Sequence, residues 1–296
     1  MALEETLKSW AKAPGQTELD KCDNAVTAVR KAINANATLS KHNIKVFAQG
    51  SYCNRTNVRE DSDVDVCVCC TDSLFCDYPE GMTDGNFGIR SADYTYQTFK
   101  NDVGMALTAY FQGGHVTRGN KAFDIKQNTY RISADAVPCF EYRRYRKDGT
   151  WTQPTGTAFV PDNTFIPTVN WPDQNYNNGV TKNSATGGRF KDVVRILKRT
   201  RYRMCDEKIP AADPIPSFLV ECLVWNAPNH TFGHDAYTSD VREVLANLFN
   251  DTIKLETCEE WGEINELKYL FKGGHTWTLA QAHAFISAAL DYWGFQ

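Results

Sequence analysis

The chain has 296 residues, 42% of them hydrophobic and 12% aromatic, and a net charge of −4. That is enough to bury a sizeable core, in one large domain or in two lobes sharing a cleft. The acidic balance argues against life on duplex nucleic acid, which brings a basic surplus, and no apolar run approaches the roughly 18 residues of a membrane span. Met1-Ala2-Leu3-Glu4-Glu5 lacks a signal peptide's pattern, so a cytoplasmic location is expected, with the ten cysteines kept as buried thiols.

Residues 4–12 and about 18–36 are predicted helices. The second carries Leu19, Val26, Val29 and Ile33 at helical spacing, with Thr17 and Asp20 as a variant capping box. Ile44–Gln49 reads as the first core strand, and Gly50-Ser51 as the tight turn that ends it. Such a turn leaves backbone N–H groups and a hydroxyl to face phosphate oxygens. Asp63–Cys70 is the second strand, and its alternation puts Asp63 and Asp65 on one face, about 6.5–7 Å apart. Two carboxylates so placed repel unless a cation neutralises them, and oxygen ligands suit magnesium.

Residues 71–91, rich in Asp, Gly and Pro, predict a loop, and about Ala92 to Tyr110 a helix. Strands are expected at about 115–118, 121–127 and 130–137, the last two as a hairpin leading into the largely apolar run that holds Asp135. Phe140–Tyr145 continues extended, and Lys147-Asp148-Gly149 turns into Trp151. Pro154 to Gly188 is rich in Pro, Gly, Asn and Thr and is expected to be irregular. Helices follow at about 189–204, 215–226, 236–253 and 278–292, and this change from strands to helices marks the lobe boundary. The lobes are placed at 1–165 and 166–296.

Metal spacing occurs twice more. Cys67-x-x-Cys70 would point its side chains to opposite faces of a strand, and His230-x-x-x-His234 lies in a loop-like stretch with no partner pair nearby. Neither supports zinc. Lys191, Arg195 and Lys198, at i, i+4 and i+7, form a cationic stripe opposite Val193, Ile196 and Leu197. It reads as a triphosphate clamp on an anchored helix, or as a solvated face. Ser217 offers either a hydroxyl to the nucleotide or a helix cap. Asn170 offers an amide that pairs with uracil or adenine, or bonds its own backbone.

Gly50-Ser51, eleven residues, then Asp63-Val64-Asp65 resembles the signature of polymerase-β-type nucleotidyltransferases. Asn170-Trp171-Pro172, Asn178-Gly179-x-x-Lys182-Asn183, the basic helix and Pro216-Ser217-Phe218-Leu219-x-Glu221-Cys222 narrow it. Together they resemble the bacterial relatives of cyclic GMP–AMP synthase, over about residues 44–293. Arg55-Thr56 departs from the Gly-Thr usual after the turn. The resemblance implies an α+β fold, with a mixed-sheet catalytic lobe and a helical C-terminal lobe completing the nucleotide cleft. It implies a third carboxylate, for which Asp135 is the candidate, and two magnesium ions (or manganese) held by Asp63, Asp65 and Asp135. Gln49, Gly50, Ser51, Asn170, Lys191, Arg195, Lys198 and Ser217 would hold the nucleotide. The implied activity joins nucleoside triphosphates, ATP with UTP or GTP, into a cyclic di- or trinucleotide messenger in anti-phage signalling. DNA is not required, and a regulatory protein is a further partner. The rival readings are a template-independent transferase making linear oligonucleotides or tailing RNA, and a non-catalytic nucleotide-binding module.

Overall fold

A computed structural model of the protein describes residues 3–58 and 63–295. Met1 and Ala2 of the N-terminal pattern, and the last four residues before Asp63, lie outside the described residues. In chain order the elements are α1 (Leu3–Ala11), α2 (Gln16–Asn34), β1 (Ile44–Gln49), α3 (Gly50–Asn54), β2 (Val64–Asp77) and α4 (Tyr96–Phe111). Then come β3 (Val116–Arg118), β4 (Phe123–Ile125), β5 (Ala134–Arg144), β6 (Gly156–Phe159) and β7 (Thr168–Asn170). Helices complete the chain: α5 (Pro172–Ala185), α6 (Arg189–Asp206), α7 (Ser217–Asn226), α8 (Tyr237–Thr252), α9 (Leu255–Cys258) and α10 (Leu279–Trp293). Strands then helices make this an α+β protein.

Two compact units divide the chain, one formed by Gly15–Cys53 and Arg59–Asp173, the other by Met1–Pro14, Asn54–Val58 and Gln174–Gln296. This differs from the partition expected at residue 165. The amphipathic helix α1 buries Leu7 and Ala11 in the same core as Val193, Leu197 and Val241, so the N-terminus belongs to the helical unit. Thr168–Asn170 pairs with Thr157–Phe159, which keeps the chain up to 173 with the sheet.

Among the described residues the sheet unit is built on seven strands in the order β1-β2-β5-β4-β3, with β6 added to β5 and β7 to β6. Only β2 and β5 run parallel; the other pairs are antiparallel. Val64, Val66 and Val68 fill one face of β2, and α2 supplies Ala25, Val29, Ala32 and Ile33 to the same core at helical spacing. The capping box expected at Thr17 does not form; Gly15 is the N-cap, and the Gln16 amide donates to Asp20 instead.

Two stretches were misread from sequence, each for a physical reason. β2 continues past Cys70, where a register shift lets Leu74–Asp77 pair with Glu141–Arg144. The polar Thr71-Asp72-Ser73 sits at that irregularity and interrupts the alternation that marks a strand. Within Pro154–Gly188 the chain forms β6, β7 and α5. Gly156 lies under Trp171 so closely that a Cβ would come within 3.0 Å of the indole, so the glycine reports close packing and not a loop. Pro172 opens α5, where its missing N–H is not needed.

The helical unit closes around its own apolar cluster. Phe190, Val193, Val194, Ile196 and Leu197 of α6 pack with Leu219, Val220 and Leu223 of α7 and with Phe285 and Ile286 of α10.

Candidate active site

The acid motif lies where one face of β2 opens to solvent. Asp63, Asp65, Cys67 and Cys69 share that face by alternation, and burial deepens along it: Asp63 is exposed, Asp65 half-buried, Cys67 and Cys69 buried. The parallel register of β2 and β5 sets Asp135 directly beside Asp65. On the other side of β5, Asp124 of β4 is the register partner of Asp135. Gln49 of β1 pairs with Asp65. The row across the sheet is therefore Gln49, Asp65, Asp135, Asp124. Neighbouring strands lie about 4.8 Å apart, so three carboxylates stand side by side with Asp63 at the strand end.

Asp124 was missed in the sequence. It falls within an expected strand, in Phe123-Asp124-Ile125, but nothing in the local pattern separates it from a solvated acid. Its place beside Asp135 follows from strand pairing alone.

The crowding is electrostatically unfavourable. Burial, followed by the charges of Asp63 and Asp65 and a hydrogen bond with Asp124, pushes the Asp135 carboxyl up to about 7. Burial and the Asp124 charge also raise Asp63, while a hydrogen bond with Ser133 opposes the rise. Carboxylates held this way are the donor set that a hard divalent cation neutralises, so the residues present fit such an ion.

Gly50 is the first residue of α3 and has φ of +69°, a backbone state that side chains disfavour. A Cβ there would overlap the Asp65 carboxylate oxygen Oδ2, so glycine is required both by the turn and by the approach of the acid. Ser51 follows half-buried on the same turn. The first N–H groups of a helix have no partner within it, and this turn brings them close to the Asp65 carboxylate.

The cationic stripe of α6 is not the open clamp expected. Arg195 is only 5% exposed and Lys198 only 2%. Arg195 donates to the carbonyls of Ala11 and Arg55 and pairs with Asp192. Lys198 pairs with Glu221 and donates to the Thr56 carbonyl, while Thr56 Oγ1 donates to Glu221 at 2.7 Å. These cations hold the Asn54–Val58 segment to the helical unit. Helical spacing groups the three residues on one face but does not say which way that face turns. Lys191 is half-buried with its ammonium 5.8 Å from the Tyr176 ring.

Ser217 is the first residue of α7, not its cap, and its hydroxyl meets the Tyr202 hydroxyl at 2.9 Å. Asn170 ends β7 half-buried. Both ring nitrogens of His234 are taken by acids, Asp240 at 2.8 Å and Glu243 at 3.0 Å. Cys67 faces Cys139, with the sulfurs 2.6 Å apart beneath the acid row. Cys70 instead joins His42 and Asp72, whose donor atoms all lie within 4.8 Å of one another.

Known proteins bear on this arrangement. Residues 177–294 match the profile of the cGAS/DncV-like nucleotidyltransferase C-terminal helical domain. The chain is 42% identical to a cyclic dipyrimidine nucleotide synthase CdnE of Legionella pneumophila, over 98% of this chain and 97% of the relative. It is 40% identical to the enzyme of the same description from Cecembia lonarensis, over 96% and 95%. Among solved structures, the CdnE c-UMP-AMP synthase of Rhodothermus marinus with Apcpp and Upnpp superposes with a TM-score of 0.85 at 29% identity, covering 98% of this chain and 96% of the other.

Proposed function

The chain belongs to the cGAS/DncV-like nucleotidyltransferases, among the CdnE cyclic nucleotide synthases, and from that premise we propose that it joins pyrimidine nucleoside triphosphates, UTP foremost, into a cyclic dinucleotide messenger. The observation that carries the chemistry is the row Asp65, Asp135 and Asp124 beside the Gly50 turn. The choice of base is supported by the two dipyrimidine synthases at 42% and 40% identity. The c-UMP-AMP synthase, at 31%, is less similar.

Asp63, Asp65 and Asp135 would hold divalent magnesium or manganese, which supplies charge neutralisation at the α-phosphate and lowers the pKa of the attacking hydroxyl. The Gly50 turn and the Ser51 hydroxyl hold the donor phosphates through backbone N–H and O–H groups. Asp135, in its deprotonated form, accepts the proton of the acceptor ribose hydroxyl as oxygen attacks the α-phosphorus. Pyrophosphate leaves, and a second transfer closes the ring. Asn170 is the proposed reader of the uracil edge, since its amide both donates and accepts. Gln49 flanks Asp65, and Lys191 and Ser217 are the proposed nucleotide contacts of the helical unit.

The test is product identity. The protein is incubated with magnesium and each pair of labelled triphosphates, and the products are treated with phosphatase and weighed by mass spectrometry. A phosphatase-resistant cyclic dipyrimidine is the expected result. A phosphatase-sensitive linear product would overturn ring closure, and a ring formed only from ATP and GTP would overturn the base assignment.

A further inference from the structure

The sheet unit contains a cavity of about 460 Å³ whose walls come from α2, the end of α4 and the connection between β4 and β5. Its volume falls within the roughly 300–1,000 Å³ of small-molecule sites. Lys31, His115 and Arg131 line it, and no carboxylate does. For a chain with a net charge of −4, three basic side chains without an acid are a local reversal of sign.

Arg131 is the centre of that reversal. It is 6% exposed and makes no salt bridge among the described residues. Its guanidinium donates to the Lys126 carbonyl at 2.5 Å and lies 4.7 Å over the Phe111 ring. Burial pulls its pKa down from the ordinary arginine value. A buried guanidinium has five donors, and one carbonyl does not match its charge. An anion entering the cavity would.

The other walls specify more than charge. Tyr110 and Tyr130 line the cavity and are 43% and 69% exposed. Aromatic side chains of this kind give a base a stacking partner, at about 1–3 kcal/mol per base. Most of the chain's other aromatics are at least partly buried, which sets these two apart from core residues. Neighbouring amides, Gln112 and Gln127 among them, can each donate and accept to a base edge.

We propose that this cavity is a second, non-catalytic nucleotide site, taking a phosphate at Lys31, His115 and Arg131 and a base against Tyr110 and Tyr130. None of the proposed catalytic residues lines it.

Titration calorimetry on the full chain in EDTA, with UMP, AMP and inorganic phosphate as probes, tests this. Lys31 and Tyr130 are exposed, so Lys31→Glu and Tyr130→Ala should leave folding intact, as checked by the thermal unfolding midpoint. The expected result is nucleotide binding that weakens by roughly tenfold or more in each variant and persists in Asp65→Asn. Inorganic phosphate should bind more weakly than either nucleotide. Absence of nucleotide binding would overturn the proposal. So would binding lost in Asp65→Asn but unchanged in Lys31→Glu and Tyr130→Ala. Equal affinity for phosphate and nucleotide would overturn the base half of the assignment.

Discussion

Asp65 and Gly50 are in mutual contact: the carboxylate of the strand occupies the space that any side chain at residue 50 would need. The turn and the acid are therefore one feature. Gly50→Ala should displace the Asp65 carboxylate and strain a backbone at φ of +69°, costing about 1–3 kcal/mol. Product formation should fall by roughly a hundredfold or more while the protein still folds. Rates from purified variant and a thermal melt check both halves; wild-type turnover would break the link between turn and acid.

Asp135 gives a pH prediction with a definite sign. Its carboxyl is raised from 3.8 to about 7 in the metal-free fold, so between those values the folded state binds more protons than the unfolded one. Its contribution to stability is complete below about 3.8 and is lost as pH rises through 7. In EDTA the melting temperature should therefore carry a downward component across this window, and Asp135→Asn should flatten it. Magnesium should raise the melting temperature more at pH 8 than at pH 5.5, because the deprotonated row is the form that binds it. An equal shift at both values would count against the acids as the ligands.

Asp124 should matter although no motif marks it. Its charge raises both Asp63 and Asp135. Asp124→Asn should lower the titration of Asp135 in the metal-free protein, visible in side-chain carboxyl NMR. Synthesis should fall less than it does with Asp63→Asn or Asp65→Asn, each of which should abolish it with folding intact. An Asp135 titration indifferent to residue 124 would show that the two do not interact.

Lys198 and Glu221 form a buried pair, 2% and 4% exposed. Lys198→Met should destabilise the protein by about 3–5 kcal/mol by stranding a buried carboxylate, and adding Glu221→Gln should recover part of that loss. Denaturant titration of the single and double variants measures the coupling. A clamp that met only phosphate would instead lose synthesis with little change in stability.

Much was legible before any tertiary contact was known. Val46-Phe47-Ala48 before Gly50-Ser51, and the alternation from Asp63 to Val68, specify a strand, a turn and a strand through local sterics and hydrophobic period. The helices from Arg189 to Trp293 were readable within a few residues, because long amphipathic periods report themselves. The β6, β7 and α5 stretch was not, since short strands and a polar helix carry little periodic signal.

What the amino-acid order determined by itself was the chemistry available: two acids on one face, a glycine where the chain must turn, and thiols in an apolar run. Which groups meet was a matter of tertiary structure. Pairing of β2, β5 and β4 in register brought Asp135 and Asp124, some sixty to seventy residues along the chain, beside Asp65. Packing of α6 turned Arg195 and Lys198 inward onto Arg55, Thr56 and Glu221. Local patterns encode faces and periods through short-range sterics, whereas a neighbour across a sheet or a core depends on register and packing that no stretch of sequence contains.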